Sequence, residues 1–467
     1  MEKPNIIYIM SDDHASHAMS CYGSEINETP NIDRIAEEGM KLENCFCTNS
    51  ICGPSRATIL TGKYSHLNGV ATHRDKFDNS QQTFPKLMQQ NGYQTAMIGK
   101  WHLGQGEESQ PTGFDYWNVL PGQGDYHNPE MIEMGERKVI EGYVTDIITD
   151  LSLNWLDERD EDKPFMLMCH HKAPHRPWRP DEAHADMYED IDIPLPETFD
   201  DDYANRAKAA EAAVMRIDRD LNYGWDLKQL PPERLNKEEL KKWKYQQYIK
   251  DYLRCIAAVD DNVGRLLDYL DKENLTENTL VVYTSDQGFF LGDHGWFDKR
   301  FFYEESLRMP FVVRYPEEIE PGSTANLISL NTDFGPTFLD YAGIEIPEDM
   351  QGESLRPVFK GENPENWRQS MYYHYSMYPS VHNVYPHYGI RTRRYKLIYY
   401  YLEDCDFEQE DIRFVPPEKA EWEFFDLKKD PNELNNQYNN PEYKEIIAEL
   451  KKELYKLKYD FKDFTAN

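Results

Sequence analysis

Apolar positions follow two rhythms along this chain, and the change falls near residue 365. Before it, short apolar runs at 6–10 (IIYIM), 94–98 (QTAMI), 165–169 (FMLMC), 280–283 (LVVY) and 311–313 (FVV) have no polar alternation, so each reads as a strand buried on both faces. Between them lie stretches with apolar residues every three to four positions. One runs over 32–40 behind Thr29-Pro30, which suits a helix start; others run over 144–156 and 237–270. Buried strands separated by helices predict an α/β fold with a large, mostly parallel sheet sandwiched by helices.

After the turn-rich GENPENW, the segments MYYHYSMY, GIRTRRYKLIYYY and EWEFFDL are aromatic, alternating and without intervening helices. They predict a smaller antiparallel sheet. Pro441 then opens a helix whose Ile446, Leu450, Leu454 and Leu457 would pack across that sheet. The expected organisation is a catalytic unit over 1–365 and a C-terminal subdomain over 366–467.

Composition fits a folded protein large enough for a sizeable core: 467 residues, 39% hydrophobic and 13% aromatic, with no repeat or low-complexity tract. Charge narrows the partners. Fifty-one Lys and Arg against 84 Asp and Glu give a formal net charge of −33, which argues against nucleic acid and anionic membranes. An anionic substrate would need a local cationic pocket. The seven cysteines have no regular spacing and specify neither a disulfide framework nor a zinc site. No apolar run of eighteen residues is present, so no membrane span is expected. The strand-like run at 5–10 follows Met1 too closely for a signal peptide, which implies a cytoplasmic protein or a trimmed mature one.

In open α/β sheets ligands gather beyond the carboxyl ends of the strands. The chemistry-bearing residues stand there. Asp12-Asp13 follows the first strand and Asp286-Gln287 follows the 280–283 strand. Three carboxylates and an amide oxygen suit calcium, or with smaller geometry magnesium, although Asp12 and Asp286 would also serve as turn caps. Lys100-Trp101-His102, His170-His171-Lys172-Ala173-Pro174-His175 and His294 with Lys299 fall at comparable positions. Cations gathered beside a divalent metal would describe a pocket for a tetrahedral oxyanion.

Cys52-Gly53-Pro54-Ser55-Arg56, followed by Leu60-Thr61-Gly62, resembles the C-x-P-x-R…L-T-G signature of the type I sulfatases. The other clusters occur in that family's order, so the resemblance spans the chain. It implies an alkaline-phosphatase-like fold and conversion of Cys52 to formylglycine, whose hydrate attacks sulfur. It further implies that Asp12, Asp13, Asp286 and Gln287 hold Ca2+, with Mg2+ the lesser alternative; Gln287 stands where many relatives have Asn. Arg56 would assist the nucleophile, Lys100 and Lys299 would clamp the sulfate, His102 would aid elimination, and His175 would protonate the leaving alcohol.

The pattern looks closest to carbohydrate sulfatases, acting on 6-sulfated N-acetylglucosamine or on algal glycans. His73, Arg74, Trp178, Arg179 and His387 are candidate sugar contacts; for His171 and His294 a structural role competes with a substrate-binding one. A strongly acidic protein favours a chain end or a short oligosaccharide over a long polyanion. The expected partners are a sulfated glycan end and a formylglycine-generating or anaerobic maturation enzyme, and the family's glycan-degrading members imply export to the periplasm or medium. The alternatives are a phosphonate or phosphate ester hydrolase of the same superfamily and a non-catalytic protein that binds sulfated glycans.

Overall fold

The computed structural model describes residues 3–401 and 418–465; Cys405 lies outside them. A ten-stranded mixed sheet forms the centre. Its middle is five parallel strands in the order Thr279–Ser285, Asn5–Ser11, Phe165–His170, Gln94–Lys100, Tyr116–Leu120. The strands at 5–11, 165–170 and 279–285 are buried at every position, as their unbroken apolar runs require. Phe311–Arg314 joins this block antiparallel to Thr279–Ser285, and Met40–Leu42 and Ser323–Ala325 extend that edge. An antiparallel hairpin, Glu130–Glu133 and Glu136–Val139, closes the other edge.

Two groups of helices sandwich the sheet. Pro30–Glu37, Val144–Asp157 and Lys237–Lys272 pack together and against the central strands. Cys52–Thr61, Phe84–Gln90 and Phe334–Tyr341 form the second group, in which Phe338 meets both Phe84 and Tyr8 of the first strand. The first helix ends at Glu37, short of the predicted 40. Gly39 passes so close to Val313 that a Cβ there would lie 2.0 Å from its carbonyl oxygen, and Met40 enters the sheet edge.

The C-terminal aromatic segments form a four-stranded antiparallel sheet: Ser370–Tyr375, His387–Thr392, Tyr395–Tyr400 and Glu421–Asp426, in sequence order. Pro441 opens a short 3-10 turn and the helix Lys444–Asp460 follows, lying over three of those strands. Its buried side is Ile447, Leu450 and Leu454; Ile446, named from periodicity, is only partly covered. Among the described residues no helix is long and apolar enough to cross a membrane.

Candidate active site

Parallel register builds the first half of the site. Met10 pairs with Thr284 and Ser11 with Ser285, so Asp12 and Asp286 leave the sheet side by side. Asp13 turns back with φ 69°, and its N–H donates to Asp286 Oδ1 at 3.2 Å. Oxygens of Asp12, Asp13 and Asp286 lie within 4.8 Å of one another, all three residues being fully buried. The Gln287 amide nitrogen donates to Asp13 Oδ1. Asp12 Oδ1 and Gln287 Oε1 are buried without a hydrogen-bond partner. Two orphaned oxygens among three carboxylates form a hard, oxygen-only donor set, which suits a divalent cation such as calcium.

The neighbouring strand pair delivers the cations. Gly99 pairs with His170, which sets Lys100 and the 171–175 segment next to each other beyond the sheet. Gly99 has φ 102°, and a Cβ there would lie 2.0 Å from the His170 carbonyl oxygen, so only glycine fits this approach. Lys100 Nζ contacts Asp12 Oδ2 and Gln123 Oε1. Lys299 Nζ sits 2.6 and 2.8 Å from the two oxygens of Asp13.

The helix Cys52–Thr61 is buried along its whole length, with Cys52 in its first turn, where the helix dipole favours negative charge. Arg56, one turn on, donates from Nε to Asp286 Oδ2 at 3.0 Å, from Nη2 to Asp12 Oδ2 at 3.3 Å and from Nη1 to the Lys100 carbonyl at 2.6 Å. Burial, with the Asp12 carboxylate beside it, pushes the Cys52 thiol up to about 12 against the pull of Lys299 and Lys100. As a thiol this residue is a poor nucleophile. Its Sγ stands where the oxygens of an oxidised residue 52 would be.

Three carboxylates this close do not all stay ionised without compensating charge. Burial and the Asp12 and Asp286 carboxylates push Asp13 up to about 7, although Lys299 opposes them. Asp12 is also raised by burial, but Lys100, His175 and Arg56 together hold it well below the usual carboxylate range.

Two histidines face this centre. His175 donates from Nδ1 to the Arg176 carbonyl at 2.6 Å, which leaves Nε2 directed inward, 3.7 Å from Asp13 Oδ2, and a ring nitrogen lies within 4.8 Å of Cys52 Sγ. His102 has φ 58°, and its Nδ1 is buried without a partner. Burial and then the Lys100 charge depress both imidazoles well below the ordinary range.

A cavity of about 440 Å³ opens beside His175. Lys172, Tyr126, His127, Arg179 and Trp225 are among its walls. Trp225 is 53% exposed, and next to it Asp226 takes a two-pronged ion pair from Arg176 at 2.6–3.0 Å.

Of the seven expected sugar contacts, Arg179 alone lines this cavity. His73 is exposed, and its partial desolvation and the nearby Arg300 and Lys299 charges depress it, while Arg74 donates to the Pro379 carbonyl at 3.3 Å. The other four lie in the core: for Trp178 and His387 this corrects the expectation, and for His171 and His294 it is the structural alternative. Trp178 is wholly buried against Tyr248 and Phe289. His171 is fully buried, its backbone N–H donating to the Met10 carbonyl, and burial depresses its imidazole to about 3. His294 pairs with Asp201 at 2.9 Å and stacks on Tyr303. His387 donates to the Tyr385 carbonyl and stacks on Tyr373 and Tyr375. All four are fully buried and so offer no exposed surface to a sugar.

Several site residues escape sequence reasoning. Gln123 and Trp225 sit in loops with no motif around them. Asp298, with φ 79°, accepts from the Lys299 N–H at 2.9 Å and pairs with His382 Nε2 at 3.1 Å, bringing a residue of the C-terminal part to the catalytic edge. Adjacency to Lys299 was the one signal available for Asp298.

Residues 4–344 match the family described as Sulfatase, and residues 292–460 match the N-sulphoglucosamine sulphohydrolase C-terminal family. An N-acetylglucosamine-6-O-sulfatase of Bacteroides thetaiotaomicron is 47% identical over 99% of this chain and 87% of its own. An arylsulfatase of Clostridium perfringens is 30% identical over 97% of this chain and 94% of its own. Among solved structures, a protein in complex with its substrate D-glucosamine-2-N,6-O-disulfate superposes with a TM-score of 0.93 at 47% identity, covering 99% of both chains. A phosphonate monoester hydrolase of Agrobacterium radiobacter shares the fold, with a TM-score of 0.76 at 21% identity, covering 98% of this chain and 96% of its own.

Proposed function

The chain belongs to the sulfatase family and is a carbohydrate sulfatase, and from that premise we propose that it removes the 6-sulfate of a terminal N-acetylglucosamine or N-sulfoglucosamine. The observation that carries the sugar assignment is the 47% identity across the full chain to an N-acetylglucosamine-6-O-sulfatase, joined to the 0.93 likeness to a protein that takes a 6-O-sulfated glucosamine. The cavity beside His175 supports action at a chain end. At about 440 Å³ it suits one or two sugar rings, and Trp225 offers a flat face at its mouth.

Sulfatases use a formylglycine and a divalent metal. In this reading Cys52 is oxidised to that formylglycine by a maturation enzyme, and its hydrate supplies a geminal diol, a nucleophilic hydroxyl with a second hydroxyl beside it, that no encoded side chain offers. Asp12, Asp13, Asp286 and Gln287 would hold calcium, which supplies positive charge beside the sulfate oxygens. The remaining work falls to this chain's own side chains. Arg56, held by Asp286, Asp12 and the Lys100 carbonyl, fixes the nucleophile helix relative to both strand ends. Lys100 and Lys299 pair directly with Asp12 and Asp13 at the edge of this centre, and with the carboxylates turned to a metal their ammonium groups would neutralise the oxyanion that develops beside them. His175 points Nε2 inward while Nδ1 is pinned to a carbonyl, the orientation a donor to the departing sugar oxygen needs. His102, on the other side of Lys100, would take a proton during sulfate release. The substrate and the family's glycan-degrading members together suggest an exported enzyme.

The test is to mature the protein with a formylglycine-generating enzyme, read residue 52 by peptide mass spectrometry, and assay sulfate release. Expected are an aldehyde at position 52 and turnover of N-acetylglucosamine 6-sulfate well above the 3-sulfate and galactose 6-sulfate. Equal rates on all three sugars would remove the sugar assignment; an active protein with a free thiol at 52 would remove the nucleophile.

A further inference from the structure

Beyond the C-terminal end of the nucleophile helix, three segments meet at His66, His374 and Asp463. His66 belongs to the short helix Ser65–Asn68, just after the nucleophile helix ends at Gly62. His374 lies on the first strand of the C-terminal sheet, and Asp463 follows the last helix. One ring nitrogen of each histidine and an Asp463 oxygen fall within 4.8 Å of one another, and Nδ1 is the nitrogen by which both histidines approach Asp463 Oδ2.

The outward atoms of all three residues are already engaged. His66 Nε2 bonds the Phe461 carbonyl at 2.8 Å, which puts its proton on Nε2 and leaves a lone pair on Nδ1. That lone pair faces Asp463 Oδ2 at 3.7 Å, too far for a hydrogen bond and with no proton between them. His374 Nε2 pairs with the Tyr401 hydroxyl at 2.9 Å. The Asp463 carboxylate is oriented by the Tyr372 hydroxyl at 2.6 Å and by the Thr465 N–H and hydroxyl at 3.0 and 2.5 Å. Metal-binding histidines and carboxylates are held in this way, with each ligand's other polar atom fixed by a carbonyl, hydroxyl or amide. Ligands of a tetrahedral zinc, about 2.0–2.1 Å from the metal, lie roughly 3.3 Å apart. His66 Nδ1 is 3.7 Å and His374 Nδ1 2.7 Å from the same oxygen, so small shifts in opposite senses would equalise them.

We propose that His66, His374 and Asp463 form a second metal site, separate from the catalytic carboxylates, that takes zinc through two imidazole nitrogens and one carboxylate oxygen. Water completes the tetrahedron on the partly exposed side of His66. To bind, the His374 proton moves from Nδ1 to Nε2, where the Tyr401 oxygen accepts it. The metal would clasp the chain's last turn and the C-terminal sheet to the segment that follows the nucleophile helix. Its role is therefore structural.

The experiment uses the full chain, stripped with chelator and returned to millimolar calcium so that oxygen-only sites are filled. Zinc alone is titrated by calorimetry, with cobalt as a spectroscopic stand-in. Cys52→Ala is run in parallel, because Asp12, Cys52 and His175 also lie within 4.8 Å and would compete for zinc. Expected in both proteins are one equivalent of zinc, strong visible bands of tetrahedral cobalt, and a Tm raised by about 3 °C at a hundredfold excess over Kd. His66→Gln and His374→Phe should abolish the zinc and cobalt signals while keeping the far-UV spectrum. Asp463 is left intact because it also anchors Tyr372 and Thr465. No zinc uptake by the parent chain, or undiminished uptake by both histidine variants, overturns the proposal.

Discussion

Each charged group at the catalytic centre is buried and answered by its opposite. Asp12, Asp13 and Asp286 face Arg56, Lys100 and Lys299. That balance lets a very acidic chain present cations to a sulfate. It also separates the roles of His175 and the lysines experimentally. If His175 protonates the departing sugar oxygen, His175→Ala should cut kcat about 10² to 10⁴-fold on a sulfated sugar, whose alcohol is a poor leaving group. The loss should be far smaller on an activated aryl sulfate, whose phenolate needs no proton. Lys299→Ala removes charge from the sulfate itself and should depress both substrates alike. Equal losses from His175→Ala on the two substrates would instead make His175 a sulfate ligand. At this scale the sequence was informative where residues follow strand ends, because the parallel register turns positions 12 and 286 into neighbours. It misled at Trp178 and His387 and could not decide His294, since an aromatic or imidazole near a motif looks the same whether it faces a cavity or fills the core.

The site depends on how closely its carrying elements approach, and two glycines show where that matters. At Gly99 a side chain would strike the His170 carbonyl at 2.0 Å, between strands that carry Lys100 and His175. Gly99→Ala should lower kcat sharply and destabilise the fold by about 1–3 kcal/mol, because both strained φ and backbone overlap must be relieved. Gly53 lies inside the nucleophile helix with its nearest neighbour, the His102 carbonyl, 3.5 Å from a new Cβ. Gly53→Ala should keep activity and stability, and a loss matching that of Gly99→Ala would show that packing at these glycines is not the controlling feature. Thermal unfolding with sulfate-release kinetics reads both. Elements themselves were legible from unbroken apolar runs and from 3.6-residue periodicity. Their ends were not: the helix predicted to reach 40 stops at Glu37 because Gly39 must pass beside Val313, a contact set by a strand almost three hundred residues away. The choice of Ile447 over Ile446 as the buried residue likewise depends on how the last helix is rotated on its sheet, to which periodicity over four residues is blind.

For the whole molecule, the net charge of −33 and the cationic walls of the cavity act over different distances. Lys172 and Arg179 border the place where a sugar would sit, so a small anion meets local positive charge within a few ångströms. A long sulfated chain must also approach a protein of net charge −33, and repulsion over that range is controlled by salt: the Debye length falls from about 30 Å at 0.01 M to about 8 Å at 0.15 M. The two substrate sizes should then respond to salt in opposite directions. Across that range the KM for a 6-sulfated monosaccharide should hold or rise, because salt screens its attraction to the pocket. The KM per chain end of a sulfated oligosaccharide several sugars long should fall severalfold, because the same ions screen its repulsion by the surface. Initial rates of sulfate release on both substrates, at matched pH and fixed calcium, decide the matter. A KM that rises with salt for the long chain would mean that the polymer follows a cationic path across the surface, and the chain-end assignment would then give way to binding along the glycan.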